Sequence, residues 1–98
     1  MTIRITVMRT ARYDDLIDKY ELPQTSPCDM CEGQVFETSG SRPEGFCQTA
    51  WETLFPFVKG LLEGKSRFYG DWMKDPRSAM ISCNDGFRPV TFLVEVKE

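Results

Sequence analysis

Apolar and polar residues alternate at both ends of the chain, which is typical of β-strands with one buried face. Residues 2–9 begin this way, and their apolar side is formed by Ile3, Ile5 and Val7. Residues 90–96 form the last alternating strand, with the apolar positions Val90, Phe92, Val94 and Val96. Residues 34–38 and 79–83 predict shorter strands. Between the last two strands, Asn84-Asp85-Gly86 tolerates positive φ and predicts a hairpin.

The centre of the chain repeats apolar residues every three or four positions, which predicts a long helix. Its apolar positions are Cys47, Ala50, Trp51, Leu54, Val58, Leu61 and Leu62. Pro56 lies inside this segment and lacks the N–H that would bond to the carbonyl of Glu52, so we expect a kink there. Residues 14–20 predict a short acidic helix near the amino terminus.

This order of elements predicts an α+β fold. We expect a small, mostly antiparallel sheet packed on one face by the long kinked helix, with the short N-terminal helix beside it. The 98 residues allow a single core, so we interpret residues 1–98 as one domain.

Charge and hydropathy exclude several classes of protein. The net charge of −3 is the wrong sign for a nucleic-acid footprint, so we expect no nucleic-acid partner. No apolar run is long enough to span a membrane, and the first residues do not have the pattern of a signal peptide. We therefore expect a cytoplasmic protein with no membrane partner. A homodimer is compatible with a domain this small.

The chain contains no histidine. This excludes catalytic arrangements such as Ser-His-Asp and Cys-His, as well as histidine metal ligands. A zinc site would have to use sulfur and carboxylate ligands. The sequence therefore argues against an enzyme without excluding one.

The four cysteines are the distinctive candidate for chemistry. Cys28 and Cys31 form a C-x-x-C in a loop, whereas Cys47 and Cys83 stand singly at positions that periodicity places toward the core. Three interpretations are open: buried thiols that pack the core, four thiolates that bind zinc or, less favourably, iron, and a redox-active thiol. A structural disulfide is disfavoured, because the expected compartment is reducing.

Two polar turns are candidate ligand-binding sites, since binding residues often lie in loops. The first contains Tyr69, Asp71 and Trp72, and the second contains Asn84 and Asp85. In the structural alternative, Asp85 bonds to the backbone of its own turn and Asp71 pairs with Arg77 or Arg88. Trp51 lies on the helix stripe and is assigned to the core.

Four motifs together resemble a family of small uncharacterised prokaryotic proteins of about this length. These motifs are Glu32-Gly33-Gln34-Val35-Phe36, Pro43-Glu44-Gly45-Phe46-Cys47 with Ala50-Trp51, Tyr69-Gly70-Asp71-Trp72, and Ser82-Cys83-Asn84-Asp85-Gly86 with Arg88-Pro89-Val90. The resemblance implies a shared architecture and no activity. The family pattern includes positions matching Cys28, Cys47 and Cys83, but it does not require a cysteine at the position of Cys31.

Two functional hypotheses follow. The favoured one is a non-catalytic domain that binds a small molecule or a protein through the residue 68–72 loop and the residue 84–86 turn. The alternative is a metal-binding or thiol-redox protein centred on Cys28, Cys31, Cys47 and Cys83.

Overall fold

A computed structural model describes residues 1–23 and 29–97 of the chain. The elements in chain order are β1 (Thr2–Thr10), α1 (Asp14–Tyr20), β2 (Val35–Thr38), α2 (Gln48–Leu62), β3 (Ser78–Ser82) and β4 (Val90–Lys97). The four strands form one antiparallel sheet in the order β2-β1-β4-β3. The predicted α+β class is confirmed.

The two strands from opposite ends of the chain, β1 and β4, lie side by side at the centre of this sheet. Ile5 is paired with Phe36 of β2 on one side and with Val94 of β4 on the other. Because side chains alternate along a strand, this register places the apolar positions of all four strands on one face. Ile3, Ile5, Phe92 and Val94 are each 0 % exposed.

Helix α2 covers that apolar face. The predicted stripe is buried at Ala50, Trp51, Leu54, Val58 and Leu61, while Cys47 and Leu62 are partly buried against it. Pro56 lies within the helix, which extends from Gln48 to Leu62; the bend at this position stays a prediction. Gly60 is buried in the same helix, and a side chain there would crowd the ring of Phe68 at 3.2 Å. The missing side chain thus lets the loop after α2 pack closely on the helix.

Phe46 fills the space between the helix and the sheet just before α2 begins. Its ring lies 4.9 Å from that of Phe36, edge to face, and 5.4 Å from that of Phe92. It is 6.2 Å from Trp51, which is 8 % exposed. The assignment of Trp51 to the core is confirmed, and the aromatic contacts join the sheet to the start of the helix.

The opposite face of the sheet carries charged side chains. Lys97 Nζ donates to Glu37 Oε2 at 2.7 Å, and Arg4 approaches the same carboxylate at 3.8 Å. The hydrogen bond from Lys97 is the main cause that lowers the pKa of Glu37. These two ion pairs join β2, β1 and β4 across the sheet. They add little stability, because the side chains in both pairs are exposed to water.

The predicted hairpin between β3 and β4 is present, but its loop does not use the positive φ that residues 84–86 tolerate. The strands are antiparallel neighbours, but β3 ends at Ser82 and β4 begins at Val90. Among the described residues, the non-glycine residues with positive φ are Arg67 and Tyr69, in the loop after α2, rather than Asn84 or Asp85. A loop of residues 83–89 needs no left-handed turn residue, because it is long enough to reverse direction gradually.

No helix in residues 1–23 or 29–97 is both long and apolar enough to cross a bilayer. The short helix α1 has no buried residues. Tyr20 and Leu22, at and just after its end, are 66 % and 75 % exposed.

Replacing Leu54 by Ala should lower the free energy of unfolding by about 2–5 kcal/mol, since it leaves a cavity under the helix. Leu54 is 0 % exposed, and the matched control Leu22→Ala removes the same atoms from a side chain that is 75 % exposed. The control should change stability by no more than about 0.5 kcal/mol. Urea unfolding followed by circular dichroism measures both; equal effects would contradict the packing described above.

Candidate functional site

A cavity of about 440 Å³ lies between the first half of α2 and the loop of residues 83–89. Thr49, Glu52 and Thr53 form its helix wall. Spacings of three and four residues place them on one side of α2, beside the buried stripe. Thr53 Oγ1 donates to the carbonyl of Thr49 at 3.4 Å, while Glu52 is exposed.

The opposite wall consists of Cys83, Asn84, Asp85 and Arg88. Asp85 shapes it: its Oδ1 accepts the N–H groups of Phe87 at 2.8 Å and Arg88 at 3.2 Å. The prediction that Asp85 bonds to the backbone of its own turn is confirmed. This side chain therefore holds the loop in a fixed shape and still leaves one carboxylate oxygen for other partners.

Cys83 is fixed to the first residue of β4. Its N–H donates to the carbonyl of Val90 at 3.0 Å, and the N–H of Val90 donates back to Cys83 Sγ at 3.3 Å. The thiol is free and partly buried against the core. It was predicted to share a strand face with Ile81, but β3 ends at Ser82, and Cys83 lies just after the strand at the edge of the core, where it lines the cavity.

The segment after β1 holds the outer side of the loop. Ala11 and Tyr13 donate their N–H groups to the carbonyls of Pro89 and Phe87 at 3.0 and 2.9 Å. These bonds continue the pairing of the chain's first and last strands as far as the cavity wall. The loop is thus anchored through its backbone as well as by Asp85.

Arg88 connects the cavity to the end of α1. Its Nη1 donates to Glu21 Oε1 at 2.6 Å, and the two side chains are 20 % and 8 % exposed. Because both charges are largely removed from water, each depends on the other more than an exposed pair does. Glu21 therefore neutralises the one cation among the described residues that line the cavity.

Among the described residues, Cys31, Cys47 and Cys83 do not form a metal site. Within residues 1–23 and 29–97, no three Cys, Asp or Glu side chains are grouped as a metal site requires. Cys31 is a free, exposed thiol in the loop before β2, where its N–H donates to Gln34 Oε1 at 2.8 Å. Cys28 lies outside the described residues.

Cys47 precedes α2 and is disulfide-bonded. The sequence disfavoured a purely structural disulfide, and a disulfide is nevertheless present at this residue. A sulfur in a disulfide is not a thiolate, so Cys47 would have to be reduced before it could bind a metal. The Cys47 sulfur lies 3.2 Å from Thr49 Oγ1, a group of the helix wall, although Cys47 itself does not line the cavity.

The other predicted binding loop lies at the far end of α2. Tyr69 contacts Phe57 near that end, with ring centroids 6.2 Å apart, and it meets Trp72 edge to face at 5.2 Å. Tyr69 is 73 % exposed and Trp72 is 45 % exposed. Asp71 pairs with Arg67 at 2.6 Å; Arg88, one of its two expected partners, pairs with Glu21 instead. The two predicted loops are therefore separate surfaces.

Sequence reasoning missed the helix wall and the residues Glu21 and Arg88. The helix-wall residues follow the helical period next to the apolar stripe, but exposed polar residues on any amphipathic helix do the same. The pairing of Glu21 with Arg88 joins residues 67 positions apart. No local pattern signals such a contact.

The fold and the site define a two-layer α+β domain with a cavity between its main helix and its last hairpin. Comparisons with protein-family models, curated proteins and solved structures find no match to this chain. Family membership therefore stays a prediction from the motifs, and the function must be argued from the cavity itself.

Replacing Glu21 by Gln should lower the free energy of unfolding by about 1–3 kcal/mol, because it leaves the Arg88 charge partly buried without a counter-ion. The control Asp71→Asn breaks a pair whose side chains are 65 % and 87 % exposed, and it should cost no more than about 0.5 kcal/mol. Urea unfolding provides both values. Equal, small losses would show that the Glu21–Arg88 pair does not anchor the loop.

Proposed function

We propose that this protein is a small non-catalytic binding domain whose ligand occupies the cavity between α2 and the loop of residues 83–89. The observation that carries the proposal is the cavity itself. Its volume of about 440 Å³ lies within the range of roughly 300–1,000 Å³ that is usual for small-molecule sites. Its walls come from two elements that are separately anchored.

The residues that line the cavity offer hydrogen-bonding groups to a ligand, although most of its surface is apolar. They are two threonines, an asparagine, two carboxylates, an arginine and a cysteine. The loop wall is held by the two backbone bonds to Asp85 and by the Glu21–Arg88 pair. A wall that is fixed before binding loses little conformational freedom when a ligand enters, which favours affinity.

A non-catalytic role is the better proposal for this cavity. Without histidine, proton transfer near neutral pH would need a carboxylate, lysine or thiol with a strongly perturbed pKa. The ionisable side chains of the cavity are a turn-forming carboxylate, an ion-paired guanidinium, an exposed carboxylate and the partly buried thiol of Cys83, which is hydrogen-bonded to the backbone of Val90. These roles suit recognition rather than chemistry.

The residue 68–72 loop supports the protein-binding form of the favoured hypothesis less well. Its exposed Tyr69 and Trp72 are side chains typical of protein interfaces, but they surround no cavity shared with Asn84 or Asp85. We therefore assign the small-molecule site to the cavity alone.

We also propose a cytoplasmic location. The two free thiols Cys31 and Cys83 support it, because thiols stay reduced in that compartment, whereas the disulfide at Cys47 argues against it.

Filling the cavity should abolish ligand binding. Ethanolamine, glycerol, acetate and inorganic phosphate are titrated singly into ¹⁵N-labelled protein, and we expect at least one of them to shift the backbone amides of Thr49, Thr53 and Asn84. A Thr53→Tyr variant should lose these shifts, since its ring occupies the space. Ser66→Tyr, an exposed change beyond α2, is the control and should keep them. Shifts confined to residues 68–72, or unchanged in Thr53→Tyr, would contradict the proposal.

The second candidate function is thiol–disulfide exchange, which the disulfide at Cys47 favours. A dithiol would supply the electrons: one of its thiolates attacks a sulfur of this disulfide, and its second thiol then closes the dithiol's own disulfide. Two electrons pass to the protein, whose disulfide becomes two thiols. The free thiols Cys31 and Cys83 are not required for this step.

Alkylation with iodoacetamide followed by mass spectrometry separates a redox role from a structural one. Cys31 should label fast in the native protein, Cys83 more slowly because it is partly buried, and Cys47 only after reduction. A redox-active disulfide should open in glutathione buffers poised at about −200 to −230 mV, whereas a structural one stays closed to below about −300 mV. A disulfide that stays closed in this way would contradict the proposed exchange function. Cys31→Ser serves as the control and should leave the reduction of Cys47 unchanged.

A further inference from the structure

We propose that the cavity selects small organic cations, specifically primary ammonium compounds. This inference rests on the proposed ligand-binding function and names the chemical class of its ligand. Its basis is the charge and hydrogen-bonding capacity of the two walls, which face each other across the same space.

Negative charge remains uncompensated on both walls. Glu52 lies on the helix wall and Asp85 on the loop wall. Among the described residues, no lysine or arginine side chain forms an ion pair with either carboxylate. Two carboxylates that share a cavity whose one described cation is already paired with Glu21 favour a positively charged occupant.

The single cation in the described lining does not reverse this preference. Arg88 is bound to Glu21 at 2.6 Å, and Glu21 is 8 % exposed. An anionic ligand would therefore compete with a carboxylate already in place, at short range and largely out of water. The positive end of the α2 dipole acts mainly within the first turn, whereas Glu52 lies beyond it.

The hydrogen-bonding groups of the cavity also favour a primary ammonium ligand. A primary ammonium group carries three N–H donors and no acceptor. The cavity offers it the carboxylate of Glu52, the second carboxylate oxygen of Asp85, and hydroxyl and amide oxygens from Thr49 and Asn84. Since these acceptors come from both walls, one ammonium group could bridge the helix and the loop.

Cys83 provides a chemical probe inside the cavity. Methanethiosulfonate reagents transfer a small group to a thiolate: the protein sulfur forms a disulfide with that group, and a sulfinate leaves. Aminoethyl, methyl and sulfonatoethyl versions deliver positive, neutral and negative groups. Because the same thiolate attacks all three reagents, the ratio of their rates, each taken relative to the rate with a free thiol in solution, reports the charge of the surroundings rather than the reactivity of the thiol. Mass spectrometry of peptides separates modification of Cys83 from that of the exposed Cys31.

We expect the aminoethyl reagent to modify Cys83 faster than the sulfonatoethyl reagent. Glu52→Gln should lower this rate ratio about threefold to tenfold at low salt, as expected for removing one charge several ångströms away. The matched control Glu63→Gln makes the same change of net charge at the other end of α2, and it should leave the ratio at Cys83 unchanged. Ethanolamine should slow the reaction of Cys83 with the neutral reagent, and acetate should not.

The outcomes separate the two proposals. If the neutral reagent does not reach Cys83 in the native protein, the cavity is closed and the proposed binding function fails. If that reagent reacts but the cation–anion ratio is unaffected by Glu52→Gln, or acetate protects Cys83 better than ethanolamine, the cavity is open and the selection of cations is wrong. Circular dichroism of each variant verifies that it is folded.

Discussion

The antiparallel pairing of β1 with β4 is the contact on which the rest of the structure depends. The strands come from opposite ends of the chain, yet they form the centre of the sheet. Each supports one edge strand, β2 on β1 and β3 on β4, and together they provide much of the surface that α2 covers. Because these strands lie at opposite ends of the chain, their pairing costs loop-closure entropy that the packing of the sheet and of α2 must offset.

The same pairing builds the cavity. Beyond the end of the β1–β4 ladder, Ala11 and Tyr13 continue to bond to the backbone of the loop before β4. This places α1 beside the loop, so that Glu21 reaches Arg88. The loop wall is thus held from the sheet side, while the packing of Leu54 and Trp51 fixes the helix wall from below. A ligand between the walls would contact two elements that the sheet positions independently.

Much of the fold could be predicted because it depends on local periodicity. The alternation of Ile3, Ile5 and Val7, and the helical stripe through Leu54 and Val58, are buried as their spacing implies. The turn role of Asp85 was also predictable, since its bonds reach only two and three residues along the chain. The candidate site was predicted in part: Cys83, Asn84 and Asp85 line the cavity, whereas Tyr69, Asp71 and Trp72 lie elsewhere.

The sequence by itself determined which residues face the core, that four strands and two helices form, and which turn carries polar groups. Each of these depends on neighbours within a few positions, and the hydrophobic effect acts on that pattern directly. Only the tertiary structure decided which polar residues share a cavity, that Arg88 is neutralised by Glu21, and that Cys47 lies in a disulfide while Cys31 and Cys83 stay free. These features depend on contacts between segments that are distant in the sequence. The packing of α2 on the sheet creates such contacts, and the local spacing of residues does not encode them.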